Sequence, residues 1–177
     1  YRRYNIRADH PAIVKGKAGS PYAIKDYYDV DPDLATDVPG RMKEFENLVS
    51  RTHRAGLKVI IDFVPNHVAR QYNSDAQPDG TTQLGANDDP NYSFSPYNNF
   101  YYIPQSELHG QFDMTGNALE PYHEFPAKAT GNNRFDAYPN INDWYETVKL
   151  NYGVDYQNGG TCHFSPTPDT WTKMLDI

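Results

Sequence analysis

A chain of 177 residues with a formal net charge of −7 has no surplus of positive charge to present to nucleic acid or to an anionic membrane. At 38% hydrophobic residues and a mean hydropathy of −0.81 it is polar, yet 15 Tyr, 8 Phe and 2 Trp exclude the aromatic-poor composition of a disordered chain. Cys162 is the sole cysteine, which excludes an intrachain disulfide and a thiolate metal cluster.

No apolar run approaches the ~20 residues of a membrane span. The chain opens on Tyr1-Arg2-Arg3-Tyr4 without an initiator Met, so it reads as part of a longer polypeptide and its compartment is not legible. Residues 1–40 show no sustained periodicity. Gly16 and Gly19 faintly echo a phosphate loop, but no strand leads in and no helix follows. Ser20-Pro21-Tyr22, followed by Ile24, Tyr27 and Tyr28, reads as a loop pinned by its own aromatics.

A helix is expected from about Gly40 to Ala55. Thr36 or Asp37 is its N-cap candidate, and Pro39 sits in the first turn, where its missing N–H costs nothing. Met42, Phe45, Leu48, Val49, Thr52 and Ala55 recur at helical spacing, and Gly56 is the stop. Leu57, Val59, Ile60 and Ile61 then form a short apolar run of the kind that makes a parallel strand buried on both faces. Helix, glycine and strand make one αβ step.

Beyond Val68 the rhythm is lost until about Pro168. Turn residues dominate, with two short strand candidates around Asn99–Ile103 and Val148–Tyr152. So long an irregular stretch inside a compact domain points to a functional insertion. Thr170–Ile177 resumes an amphipathic helix, with Asp169 or Thr170 as N-cap.

The chemistry gathers at the end of the apolar run. Asp62, Asn66 and His67 supply a carboxylate, an amide and an imidazole within six positions. In α/β enzymes the C-terminal ends of parallel strands carry the site. Such groups can hydrogen-bond the hydroxyls of a sugar, or Asn66 can offer oxygen to a hard cation such as calcium. Zinc is disfavoured because no second His or Cys is near, and no serine sits on a strand-turn-helix elbow. The aromatic load suits a sugar ring, whose C–H face packs on Tyr or Trp. Taken singly, Tyr22 also suits simple packing, and each of the polar residues a turn or capping bond.

Gly19-Ser20-Pro21-Tyr22 with Asp26-Tyr27, then a helix, then Asp62-Phe63-Val64-Pro65-Asn66-His67, resembles the α-amylase family of glycoside hydrolases. There, the loop after barrel strand 2 carries an S-P-Y and D-Y element, and strand 3 ends in D-x-V-x-N-H. Residues 98–104, 123–133 and 142–152 resemble the insertion of the family's starch- and maltodextrin-cleaving members. The resemblance implies an α/β fold: residues 1–67 as part of a (β/α)8 TIM barrel, 68–168 as a subdomain inserted after the third strand, and 169–177 as the start of the next barrel helix. It implies retaining cleavage of α-linked glucans with no organic cofactor, the remainder of the polypeptide being the chain's other partner. Tyr22 then stacks on the sugar, His67 hydrogen-bonds it, and Asp62 supports the site. Asn66 and, after it, Asn151 correspond to calcium ligands of calcium-dependent members. No catalytic residue falls in this segment: nucleophile and general acid are expected downstream of Ile177. A non-catalytic glycan-binding or scaffold homologue is the alternative.

Overall fold

The structure is a computed structural model that describes residues 4–16 and 19–177. Lys17 and Ala18, within the glycine loop noted above, lie outside the described residues.

Helix α1 spans Arg41–Arg54. A 3-10 turn over Val38–Gly40 leads into it, so Pro39 sits in that turn and Gly40 is the N-cap. Neither Thr36 nor Asp37 caps through its side chain. Instead, Glu44 reaches back past the 3-10 turn and accepts the backbone N–H groups of Thr36 (3.0 Å) and Asp37 (2.6 Å). Those bonds hold its carboxyl below the ordinary range. At the far end Gly56 adopts φ 76°, and the N–H groups of Gly56 and Leu57 return to the carbonyls of His53 and Thr52. This left-handed stop satisfies the last carbonyls and favours a residue without Cβ.

The expected strand at 57–61 is not formed. Leu57, Ile60 and Ile61 are exposed, Ile60 at 94%. A parallel strand takes its hydrogen bonds and its burial from neighbours on both sides. Among the described residues nothing lies beside this run to supply them, and the apolar face of α1 (Met42, Leu48) is likewise uncovered.

Order resumes at His67. Strand β1 (His67–Ala69) pairs antiparallel with β4 (Thr147–Lys149), setting His67 opposite Lys149. Strand β2 (Tyr102–Ile103) pairs with β3 (Ala127–Lys128), and β5 (Val154–Asp155) with β6 (Thr161–Cys162). All three pairs are antiparallel, so no barrel is present among the described residues. Both strand candidates between Val68 and Pro168 contribute, and Phe100 and Leu150 bridge them.

Two apolar clusters hold these pairs together. Val68, Leu84, Phe100, Tyr102, Val148, Leu150 and Met174 form one, with Tyr27 and Tyr152 against it. Ala12, Ile13, Leu108, Tyr122, Ala127 and Ala137 form the other. Each full burial of a Val- or Leu-sized side chain contributes about 1.5–3 kcal/mol. The cores join segments from either end of the chain to residues 68–168. Helix α2 (Asp169–Asp176) supplies Met174, and its N-cap is Pro168. Asp169 and Thr170 lie inside the helix, where each accepts from Asn99 Nδ2 (2.9 and 3.1 Å).

Polar side chains complete the interior. Asn98, Asn99 and Asn151 are buried and bond to backbone groups of neighbouring loops. Arg70 is enclosed: it donates to Glu124 (2.7 Å) and to the carbonyls of Tyr145, Thr147 and Lys128. Burial opposes the charge of Glu124, but Arg70, Lys128 and the bonds from Lys128 N–H and Tyr122 outweigh it and bring its pKa below the ordinary value. The Tyr122 hydroxyl bonds the second carboxylate oxygen (2.9 Å).

Candidate functional site

Strand β1 positions His67 from both edges. On one, β4 pairs with it. On the other, Ala69 N–H donates to the Ile24 carbonyl (2.8 Å), stitching the loop of Tyr22 to the strand. The turn of Tyr22 is closed by bonds from Tyr22 N–H to Ser20 Oγ and from Ala23 N–H to Ser20 O. Tyr22 and His67, 45 residues apart in sequence, are thus neighbours: the Tyr22 backbone lies close enough to the imidazole to act on its pKa. The phenol ring of Tyr22 is exposed.

The His67 ring is buried and rests on Gly131, where an added Cβ would stand 2.9 Å from its Cγ. Trp144 lies 5.3 Å from it, ring centre to ring centre, and is half exposed. Burial lowers the pKa of His67; the nearby Tyr22 backbone opposes this, Lys149 reinforces it, and Glu146 opposes it. The Gly131 turn is braced by Asn132, which donates to Asp143 (2.9 Å) and accepts from Thr130 (2.5 Å).

Asn66 is tied in four ways. Its Nδ2 donates to Gly131 O (3.0 Å) and meets His67 Nδ1 (2.8 Å). Its Oδ1 accepts from Lys149 Nζ (2.7 Å), and its carbonyl accepts from Leu150 N–H (3.1 Å). Burial lowers the pKa of Lys149. Asn151 is fully buried: Nδ2 donates to Ser95 O and Asn98 O, and Oδ1 accepts from Gly153 N–H (2.9 Å). Both amide oxygens expected to face calcium therefore accept from the protein itself. Calcium takes six to eight oxygens, several of them carboxylate. A dication at Asn66 Oδ1 would meet an ammonium group, so the donor set as arranged does not fit it.

Asp62 is not brought to this site. It lies in the exposed 57–66 segment and has no hydrogen-bond or ion-pair partner among the described residues. Trp144 and Lys149 are the residues that sequence reading passed over. The aromatic count pointed to stacking without saying which ring. Lys149 sat inside a run read for its apolar neighbours.

A cavity of about 790 Å³ lies elsewhere, between Tyr72, Thr81, Leu84, Phe100 and Lys128. It contains neither Tyr22 nor His67. No helix of the described residues is long and apolar enough to cross a membrane.

Comparison with known proteins gives the arrangement a context. Rat amino acid transporter heavy chain SLC3A1 is 47% identical over 51 residues, 29% of this chain and 7% of that protein. Honeybee (Apis mellifera) alpha-glucosidase is 38% identical over 80 residues, 45% of this chain and 11% of that protein. Trehalose-6-phosphate hydrolase of Bacillus subtilis is 41% identical over 51 residues, 29% of this chain and 8% of that protein. The chain spans about a tenth or less of the length of these relatives. No solved structure matches. The family description "Alpha amylase, catalytic domain" matches residues 11–152, most of the chain and all of the Tyr22, His67 and Trp144 cluster; the chain belongs to the α-amylase catalytic-domain family, which implies a (β/α)8 barrel in the parent protein.

Proposed function

We propose that this chain is the substrate-holding wall of a retaining glycosidase that acts on α-linked glucans such as starch or maltodextrin. The observation that carries the reading is the meeting at His67: the ring of Trp144 packs 5.3 Å from the imidazole, centre to centre, and the loop of Tyr22 is stitched to the same strand through Ala69 N–H and Ile24 O. Two half-exposed aromatic rings beside a hydrogen-bonding ring suit a sugar, which has a C–H face and a hydroxyl edge. Alpha-glucosidase and trehalose-6-phosphate hydrolase among the relatives support a glycosidic substrate.

In this reading, Tyr22 and Trp144 stack on glucosyl units and His67 hydrogen-bonds a hydroxyl that tightens in the transition state. The bond is broken by two carboxyl groups about 5–5.5 Å apart, one the nucleophile and one the acid/base. These are assigned to residues after Ile177. Asp62 supports the sugar-binding side once the neighbouring barrel strands flank its segment.

The test is kcat/KM of the full-length protein on maltodextrin, for wild type and His67→Ala. Loss of a transition-state hydrogen bond in such sites lowers the rate by about 10²–10³. An unchanged kcat/KM removes His67 from the site. The transporter heavy chain among the relatives favours a second reading, a non-catalytic homologue. Maltodextrin binding without turnover by the full-length wild type would establish it.

A further inference from the structure

We propose that the ammonium group of Lys149 serves as a built-in cation between Asn66 and the inserted segment, in the place where a divalent metal would otherwise bridge them. The orientation of the Asn66 amide is over-determined. Gly131 O requires a donor, so Nδ2 faces it. The opposite end of the amide is then an oxygen, and Lys149 Nζ stands 2.7 Å from it. Flipping the amide would set its NH₂ against the ammonium group and its oxygen against the Gly131 carbonyl, so the assignment rests on two independent contacts.

Lys149 is 7% exposed, and no carboxylate lies within ion-pair distance among the described residues. Its positive charge is met by the Asn66 oxygen and by the face of Tyr156, whose ring centre is 5.8 Å away. A buried lysine without a carboxylate partner is costly unless its contacts are built for it. Here they also join two parts of the fold. Asn66 ends the exposed 57–66 segment; Lys149 lies in β4, directly across from His67. A metal at such a junction crosslinks strand end and insertion through oxygen ligands. A tethered ammonium does so without dependence on free metal. Among the described residues there is no group of three or more His, Cys, Asp or Glu side chains placed to hold a metal ion.

The experiment is the melting temperature of the full-length protein with excess EDTA and with excess calcium chloride, for wild type, Asn66→Leu and Lys149→Met. The expected result is that Asn66→Leu removes no part of any calcium response of the wild type. Lys149→Met, of similar volume and uncharged, lowers the melting temperature by a few degrees, and Lys149→Arg recovers part of the loss. A calcium response that Asn66→Leu abolishes overturns the proposal, and so does an unchanged melting temperature in Lys149→Met. A measurement on wild type alone covers variants that fail to fold: crystals soaked in terbium chloride should give no anomalous peak at ligand distance from Asn66 Oδ1. A peak there overturns the proposal.

Discussion

Asn66 Nδ2 lies 2.8 Å from His67 Nδ1, and this contact decides where the imidazole carries its proton. Because Nδ2 is a donor, Nδ1 must accept, and the neutral ring is protonated at Nε2. A second proton at Nδ1 would face an N–H group.

That arrangement fixes the sign of the pH dependence. Burial first, and Lys149 with it, lowers the folded pKa of His67 from the ordinary 6.5. A histidine lowered on folding leaves stability at its full value above the unfolded pKa. Stability falls as the pH drops below about 6.5, where the unfolded chain takes up a proton and the folded one does not, and levels off below the folded pKa. In the full-length protein, a melting-temperature profile from pH 8 to 5 should therefore decline more steeply for wild type than for His67→Gln. Parallel profiles would show that His67 titrates as it does in water.

Gly131 gives a way to move His67 without touching substrate. A methyl group at residue 131 would stand 2.4 Å from Thr147 Oγ1 and 2.9 Å from His67 Cγ, so one of them must shift. Overpacking of this kind costs about 1–3 kcal/mol. Gly131→Ala should lower the melting temperature and, with the imidazole displaced, reduce kcat/KM on maltodextrin. Full activity at reduced stability would show that the turn supports the fold alone.

What the sequence made legible and what it did not divide along a physical line. Local signals held: the 3.6-residue rhythm and Gly56 placed α1 within a residue or two, and the rhythm after Pro168 placed α2. Tyr22 and His67 were singled out and do meet. Asp62 was singled out with them and stands apart, because its segment depends on neighbours that this chain does not place beside it. Residues 68–168 are opaque in the sequence because much of their interior is polar. Asn98, Asn99 and Asn151 are as buried as Val148 and Leu150, yet asparagine in a sequence reads as a turn. Their side chains bond the backbone of distant loops, and neither periodicity nor propensity records such pairing. Trp144 and Lys149 reach the site through that same framework.

The buried pair Arg70–Glu124 is the sharpest stability test of it. Glu124→Gln keeps the shape but leaves the guanidinium without its counter-charge in an enclosed setting. Breaking a buried ion pair from one side costs about 3–5 kcal/mol. Urea denaturation of the full-length protein should show a midpoint lowered accordingly, with Arg70→Met similar and the double variant less destabilised than the sum of the two. Additive losses would mean that the two side chains stabilise the insertion separately, Arg70 through its three carbonyl contacts.

Ile60 tests whether the exposed apolar run becomes a barrel strand. In this chain it is 94% exposed, with Leu57, Ile61 and Phe63 also open. The barrel that the family builds would bury such a run between parallel neighbours. Placing a charge at residue 60 should then be nearly silent in the 177-residue chain, where water already surrounds the side chain, and severe in the full-length protein. Ile60→Asp should cost the latter more than about 3 kcal/mol, since it combines lost apolar burial with a buried unpaired carboxylate. The measurement is the loss of melting temperature in each context. Equal and small losses would mean that this run stays on the surface and that the αβ step read from the sequence is not completed by the rest of the polypeptide.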